Sequence, residues 1–166
     1  MNSHSFLDGR KDKMSRISYI EDLATWEHRF DFYYPVKVRF SETDMFGHLN
    51  NTVPFTYYEE ARIEYFKSKG MMTDWLDGKR EAIIVVADLQ CDFLKQVYFD
   101  EQLRIYVRAH SVGTSSVDIH YMGKRENEEI CFVGRGTIVQ VSKKTGKSIP
   151  WSSEVKAAML EGELIQ

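Results

Sequence analysis

Apolar and polar positions alternate through "YPVKVRF", with Val36, Val38 and Phe40 on one side and Lys37 and Arg39 on the other. That period of two predicts a half-buried strand. The pattern changes at residue 54. Phe55, Tyr57, Tyr58, Ala61, Ile63, Tyr65 and Phe66 make a segment that is apolar nearly all round, Pro54 suits a first helical turn, and Lys69-Gly70 supplies a last-turn cation and a stop. A helix over 54–69 is the expectation. From residue 82 the chain returns to strand periodicity. "AIIVVADLQCDFLKQV" reads as a long, largely buried strand, and "LRIYVRAHSV", "VDIHYMGKR" and "ICFVGRGTIVQVS" follow, separated by "GTSS" and "NEE" turns. A "KKTGK" loop then leads to a short amphipathic helix starting near Ser152. Upstream, Ser18 and Glu21 form a capping-box pattern for a short helix ending near His28, while residues 1–13 are polar and carry little expectation of fixed structure.

Successive hairpins imply an antiparallel sheet, which must bury one face, and helix 54–69 is the element long and apolar enough to fill it. The predicted class is α+β, a curved antiparallel sheet wrapped around one long helix. No repeat or linker divides the chain, so residues 32–166 read as a single domain preceded by an extension over 1–31 with its short helix.

Composition narrows the functions open to this fold. At 166 residues, with 43% hydrophobic and 28% charged positions, the chain can bury a normal core. A net charge of -3 argues against a nucleic-acid partner. The charge is uneven: residues 1–101 hold 13 Lys and Arg against 18 Asp and Glu, whereas residues 102–151 hold 8 against 4. A basic second half suits a phosphorylated ligand or is plain surface charge. Cys91 and Cys131 both sit in apolar runs, which predicts buried free thiols rather than a disulfide or metal pattern. With no apolar run long enough to span a membrane and no signal core, the expectation is a cytoplasmic protein.

The densest polar chemistry is "FSETDMFGHLNNTVPFTYYEEAR", residues 40–62. Together with "YFDEQLRIYVRAHSVGTSS" and "GRGTIVQVSKKTGKSIP", the stretch "VRFSETDMFGHLNNTVPFTYYEEARIEYF" resembles the 4-hydroxybenzoyl-CoA thioesterase branch of the hot-dog superfamily, over residues 32–151. It departs from that pattern in Pro54, where an aromatic is usual, in Gln96, where proline is common, and in a long lead-in. The resemblance implies an acyl-CoA thioesterase, a homodimer or homotetramer whose site lies between subunits, and no cofactor beyond the coenzyme A of the substrate.

Thioester hydrolysis needs a carboxylate to attack the carbonyl or activate water, and donors for the developing oxyanion. By resemblance Asp44 is that carboxylate; on residue type alone a turn cap is the first reading. Gly47 allows close backbone approach, and His48 and Asn51 are candidate substrate contacts. A helix start at Pro54 would offer unpaired amides. Glu60 shares a solvated row with Glu64 and Lys67, whereas Glu59 shares one with Phe55, Arg62, Ile63 and Phe66. Glu59 is therefore expected to be desolvated, either paired with Arg62 or serving as the second candidate catalytic acid, since another hot-dog branch carries its acid on this helix. His48 lacks metal-ligand spacing, and no metal is expected. Arg104, Arg108, Lys124, Arg125, Arg135, Lys143 and Lys144 are candidate contacts for coenzyme A phosphates. The alternatives are a thioesterase for acyl carrier protein and a hot-dog domain that binds acyl-CoA without turnover.

Overall fold

The computed structural model describes residues 17–78 and 80–161; the polar segment 1–13 lies outside them. Strands β1 (Phe32–Lys37), β2 (Ala82–Phe93), β3 (Gln102–Val112), β4 (Ser116–Arg125) and β5 (Ile130–Ser142) form one antiparallel sheet in the order β1-β3-β4-β5-β2. Four helices complete the order: α1 (Leu23–His28), α2 (Val53–Ser68), α3 (Met72–Leu76) and α4 (Ser153–Leu160). Pro35 sits in edge strand β1, where a missing amide donor costs little.

Helix α2 fills the concave face. Its buried stripe is Pro54, Tyr57, Tyr58, Ala61, Arg62, Tyr65 and Phe66, at three- and four-residue spacing. These pack against Leu103, Ile105 and Val107 of β3, Val117, Ile119 and Tyr121 of β4, and Phe132 and Ile138 of β5. Tyr58 stacks on Tyr121 with centroids 4.3 Å apart, and the buried Arg62 guanidinium donates to the Tyr121 hydroxyl at 3.0 Å. This is the expected hot-dog arrangement, with the helix one residue ahead of the predicted start.

Several details differ from the sequence expectation. Strand β2 ends at Phe93, short of Val97, and has no fully buried residue, because it is an edge strand paired only to β5. Phe40 leaves the strand alternation in a 3-10 turn (Phe40–Glu42) and is exposed. Asp22, not Ser18, caps α1, its carboxylate accepting the Thr25 amide at 2.8 Å. A carboxylate at the N-terminus also meets the positive end of the helix dipole.

The convex face of the sheet is covered as well. Ile17, Ile20 and Trp26 pack on Met122 and Val133, with Tyr19, Leu23, Phe30, Tyr106 and Ile130 around them. At the centre of this second core the Trp26 indole donates to His120 Nδ1 at 2.8 Å. Indole nitrogen is only a donor, so Nδ1 is unprotonated and Nε2–H points to Asp118, 3.1 Å away. Burial, reinforced by the nearby His110 and Arg108 and opposed by Asp118, lowers the His120 pKa below the ordinary 6.5. The neutral ring therefore contributes stability that is complete above pH 6.5 and lost as pH falls toward the depressed value. Asp118, held low by His120 and Arg135 against its burial, stays ionised through this window. Acidification from pH 7 to 5 is expected to lower the melting temperature and shift tryptophan emission. Trp26→Phe should cost about 1–3 kcal/mol and flatten that pH dependence, read by melting curves at both pH values.

Candidate functional site

The loop between β1 and α2 folds back on itself. Thr43 bridges Leu49, the Asp44 amide donates to the His48 carbonyl at 2.8 Å, and the Gly47 amide donates to the Asp44 carbonyl at 3.0 Å. Gly47 takes φ +79°, a conformation that side chains disfavour, so the turn needs glycine there. The Asp44 carboxylate is held inside this turn: Oδ1 accepts the Phe46 amide at 2.8 Å and the His48 amide at 3.2 Å. The capping geometry anticipated as an alternative to catalysis is therefore present. It uses one oxygen. Among the described residues Oδ2 has no hydrogen-bond donor or ion-pair partner.

Asp44, His48 and Asn51 line a cleft of about 290 Å³ whose other walls include Leu49, Phe93, Lys95, Val97 and Phe132. The Leu49 amide donates to the Val97 carbonyl at 2.7 Å and His48 bridges Tyr98, so the loop is seated on the segment that forms the cleft's far wall. The His48 ring meets Tyr98 edge-on at 5.3 Å. A larger cavity, about 400 Å³, opens on the β1 side beside Lys37, Arg39, Glu42, Tyr57 and Glu60. It carries paired charges such as Lys37–Asp100 at 2.7 Å, whereas the smaller cleft joins an apolar wall to an uncommitted carboxylate oxygen. The smaller cleft has the better chemistry.

The remaining sequence candidates fall differently. Glu59 is exposed and makes no hydrogen bond or ion pair with a described residue; its predicted desolvation fails because the buried stripe of α2 is centred on Tyr58, Ala61 and Tyr65. Arg62 turns inward to Tyr121 instead of pairing with Glu59. The predicted solvated row holds, with Lys67 bonded to Glu64 at 2.6 Å. The start of α2 offers fewer amides than expected. Asn50 accepts the Thr52 amide through Oδ1 and the Val53 amide through its carbonyl, and Pro54 has none. Side chains with donors that line the cleft are Asn51, His48, Gln96 and Lys95, the last paired to Glu129 at 3.2 Å.

Two residues were missed by sequence reasoning. Tyr57 on α2 donates its hydroxyl to Glu42 Oε2 at 2.7 Å, and that oxygen also accepts the Arg39 amide at 2.8 Å. Reading Tyr57 only as core hid this contact; its signal was a carboxylate two positions before Asp44.

Most of the basic residues named as phosphate contacts are already engaged. Arg104 pairs with Glu128, Lys124 with Glu27 and Glu128, Arg125 with Glu101 and Glu129, and Arg135 with Asp118 and Asp88. Lys143 and Lys144 are exposed and pair with no described residue. Ligand-type atoms of His110, Asp118 and His120 gather within 4.8 Å on the convex side. Most of their polar atoms have partners: His120 Nδ1 accepts from Trp26 and Nε2 bonds Asp118 Oδ2, Asp118 Oδ1 accepts from Arg135, and His110 Nδ1 faces Arg108 at 2.8 Å. The two imidazoles stack at 4.1 Å and 13°, so their in-plane lone pairs run side by side rather than converging on an ion. Burial pushes both thiols up to about 11, so neither Cys91 nor Cys131 is a thiolate nucleophile at neutral pH.

A family model for the thioesterase-like superfamily matches residues 38–159. The uncharacterized protein YsmA of Bacillus subtilis (strain 168) is 49% identical over 148 residues, covering 89% of this chain and 98% of that one. The chloroplastic acyl-acyl carrier protein thioesterase ATL3 of Arabidopsis thaliana is 30% identical over 112 residues, 66% of this chain and 57% of its own length. Among solved structures, a thioesterase from Thermus thermophilus complexed with coenzyme A and Zn is 28% identical with a TM-score of 0.67, covering 81% of this chain and 95% of that one. Asp44, the cleft beside it and the sheet-wrapped helix all fall within or against the matched segment, and the chain belongs to the thioesterase-like superfamily.

Proposed function

We propose that this protein is an acyl-CoA thioesterase of the 4-hydroxybenzoyl-CoA thioesterase type, with Asp44 as its working carboxylate. The observation that carries the reading is the division of labour at that side chain. Oδ1 is fixed by two backbone amides, while Oδ2 has no partner among the described residues, and Asp44 lines a cleft with an apolar wall. Oδ2 takes a proton from a water that adds to the thioester carbonyl, or adds to it directly to give, once the C–S bond breaks, a mixed anhydride on Asp44 that a water then hydrolyses. The tetrahedral oxyanion collapses by breaking the C–S bond, and the departing thiolate is protonated, leaving a carboxylic acid and free coenzyme A. His48 and Asn51 contribute the donors that face the developing oxyanion, and Gly47 lets the turn close. No metal or cofactor takes part. The coenzyme A complex of the Thermus thermophilus relative supports the carrier.

A homodimer completes the reading. Strand β2 leaves one backbone edge unpaired and exposes Val85, Val86 and Phe93, a liability that pairing with a second copy removes. Two free cysteines suit a reducing, cytoplasmic setting. Among the described residues no helix is long and apolar enough to cross a membrane.

The test is thiol release from purified protein across a panel of acyl-CoAs, with acyl carrier protein thioesters alongside. Faster turnover of free acyl-CoA supports the proposal. Preference for the protein-bound thioester, the reaction type of the ATL3 relative, moves the substrate to acyl carrier protein. Tight binding of acyl-CoA without release identifies a silent binding domain. In the same assay Glu59→Gln is expected to keep kcat within about twofold of wild type, the behaviour of a solvated surface side chain.

A further inference from the structure

We propose that Tyr57 and Glu42 form a positioning strut that sets where the Asp44 carboxylate stands, an inference that rests on Asp44 being the working group. Tyr57 belongs to the second turn of α2, and its ring is 3% exposed within the core. Its hydroxyl leaves that core to donate to Glu42 Oε2 at 2.7 Å. Glu42 closes the neck of the catalytic loop from both sides: Oε2 accepts the Arg39 amide at 2.8 Å, and the Glu42 carbonyl accepts the Asn50 amide at 2.8 Å. Within the neck lies the smaller turn that holds Asp44, whose amide meets the His48 carbonyl. Among the described residues, the Tyr57 hydroxyl is the one side chain from the body of α2 that bonds this loop.

The chemistry of the pair suits a permanent link. Burial, and then the adjoining Glu42, raise the Tyr57 phenol far above its ordinary range, so it remains a donor throughout the working pH span. The rigid sheet-wrapped helix therefore fixes a loop that would otherwise be tied down through its own backbone and through Val97 and Tyr98. A displacement of about 1 Å at a reacting group can cost up to about 100-fold in rate. The strut acts through Asp44, not on the substrate.

The experiment uses the full chain with Tyr57→Phe, Glu42→Ala, Glu42→Gln and the Tyr57→Phe/Glu42→Ala double variant. Phenylalanine keeps the buried ring, and the half-buried Glu42 carboxylate it releases can take water, so the fold persists. Expected are a fall in kcat of about 10-fold to 100-fold in both Tyr57→Phe and Glu42→Ala, with KM within about twofold. The double variant should be no worse than either single one, and Glu42→Gln, which keeps an acceptor, should recover most of the rate. Backbone amide resonances of Phe46 and His48, the two donors to Asp44 Oδ1, should shift in Tyr57→Phe. Wild-type kcat in Tyr57→Phe, unmoved resonances, or losses that multiply in the double variant overturn the strut while leaving Asp44 its role. A wild-type protein without thioester turnover overturns both.

Discussion

Asp44→Asn is expected to lower kcat for thioester hydrolysis by about 10²- to 10⁴-fold, the usual worth of a positioned acid–base group, while leaving KM and the melting temperature close to wild type. The separation follows from the two oxygens. An asparagine side-chain oxygen can still accept the Phe46 and His48 amides, so the turn and the Leu49–Val97 seat survive. What the amide cannot do is take a proton from water or attack a carbonyl. Asp44→Ala removes the turn acceptor as well and should add about 1–3 kcal/mol of destabilisation for the two amides left without it. Steady-state thiol release and thermal unfolding of the two variants side by side check the claim. Turnover in Asp44→Asn within about threefold of wild type would hand the carboxylate to the bland role of a turn cap.

Gly134→Ala should be strongly destabilising. A Cβ there would lie 2.5 Å from the Gln90 carbonyl and 2.6 Å from the Tyr58 ring. The first obstacle is backbone of the neighbouring strand β2 and the second is a fully buried ring stacked on Tyr121, so neither can move aside cheaply. Overpacking of this kind costs about 1–3 kcal/mol and sometimes more. At ~3 kcal/mol in a chain of this length the melting temperature falls by roughly 6–12 °C. The glycine lets α2 press against β5, so activity should fall with stability; an unchanged melting curve would show that the helix sits farther from the sheet.

How much of this was legible in the sequence depends on which physical signal each element carries. Period-two alternation marked β3, β4 and β5 because each has one face in the α2 core. Strand β2 was seen but misread as buried: an apolar run such as "AIIVV" does not say which strand ends up at the edge of a sheet. The convex core of Ile17, Trp26, Met122 and Val133 was invisible, since it joins positions about a hundred residues apart that share no pattern. At the site, Asp44, His48 and Asn51 do converge on one cleft, whereas Glu59 does not, because its row lies one step off the buried stripe. Tyr57 escaped notice because an aromatic at a core position conceals what its hydroxyl reaches.

The covered convex face limits how copies of this chain can assemble. A back-to-back stack of two sheets would need Met122, Val133 and Tyr106 laid bare, yet Ile17, Ile20 and Trp26 already occupy them. Any such stack would first have to peel away that N-terminal layer and break the indole–imidazole bond beneath it. Any larger assembly must therefore recruit other surfaces, and the solvated side of α2 is a poor one, because Glu59 and Glu60 would confront like charges on an approaching twin.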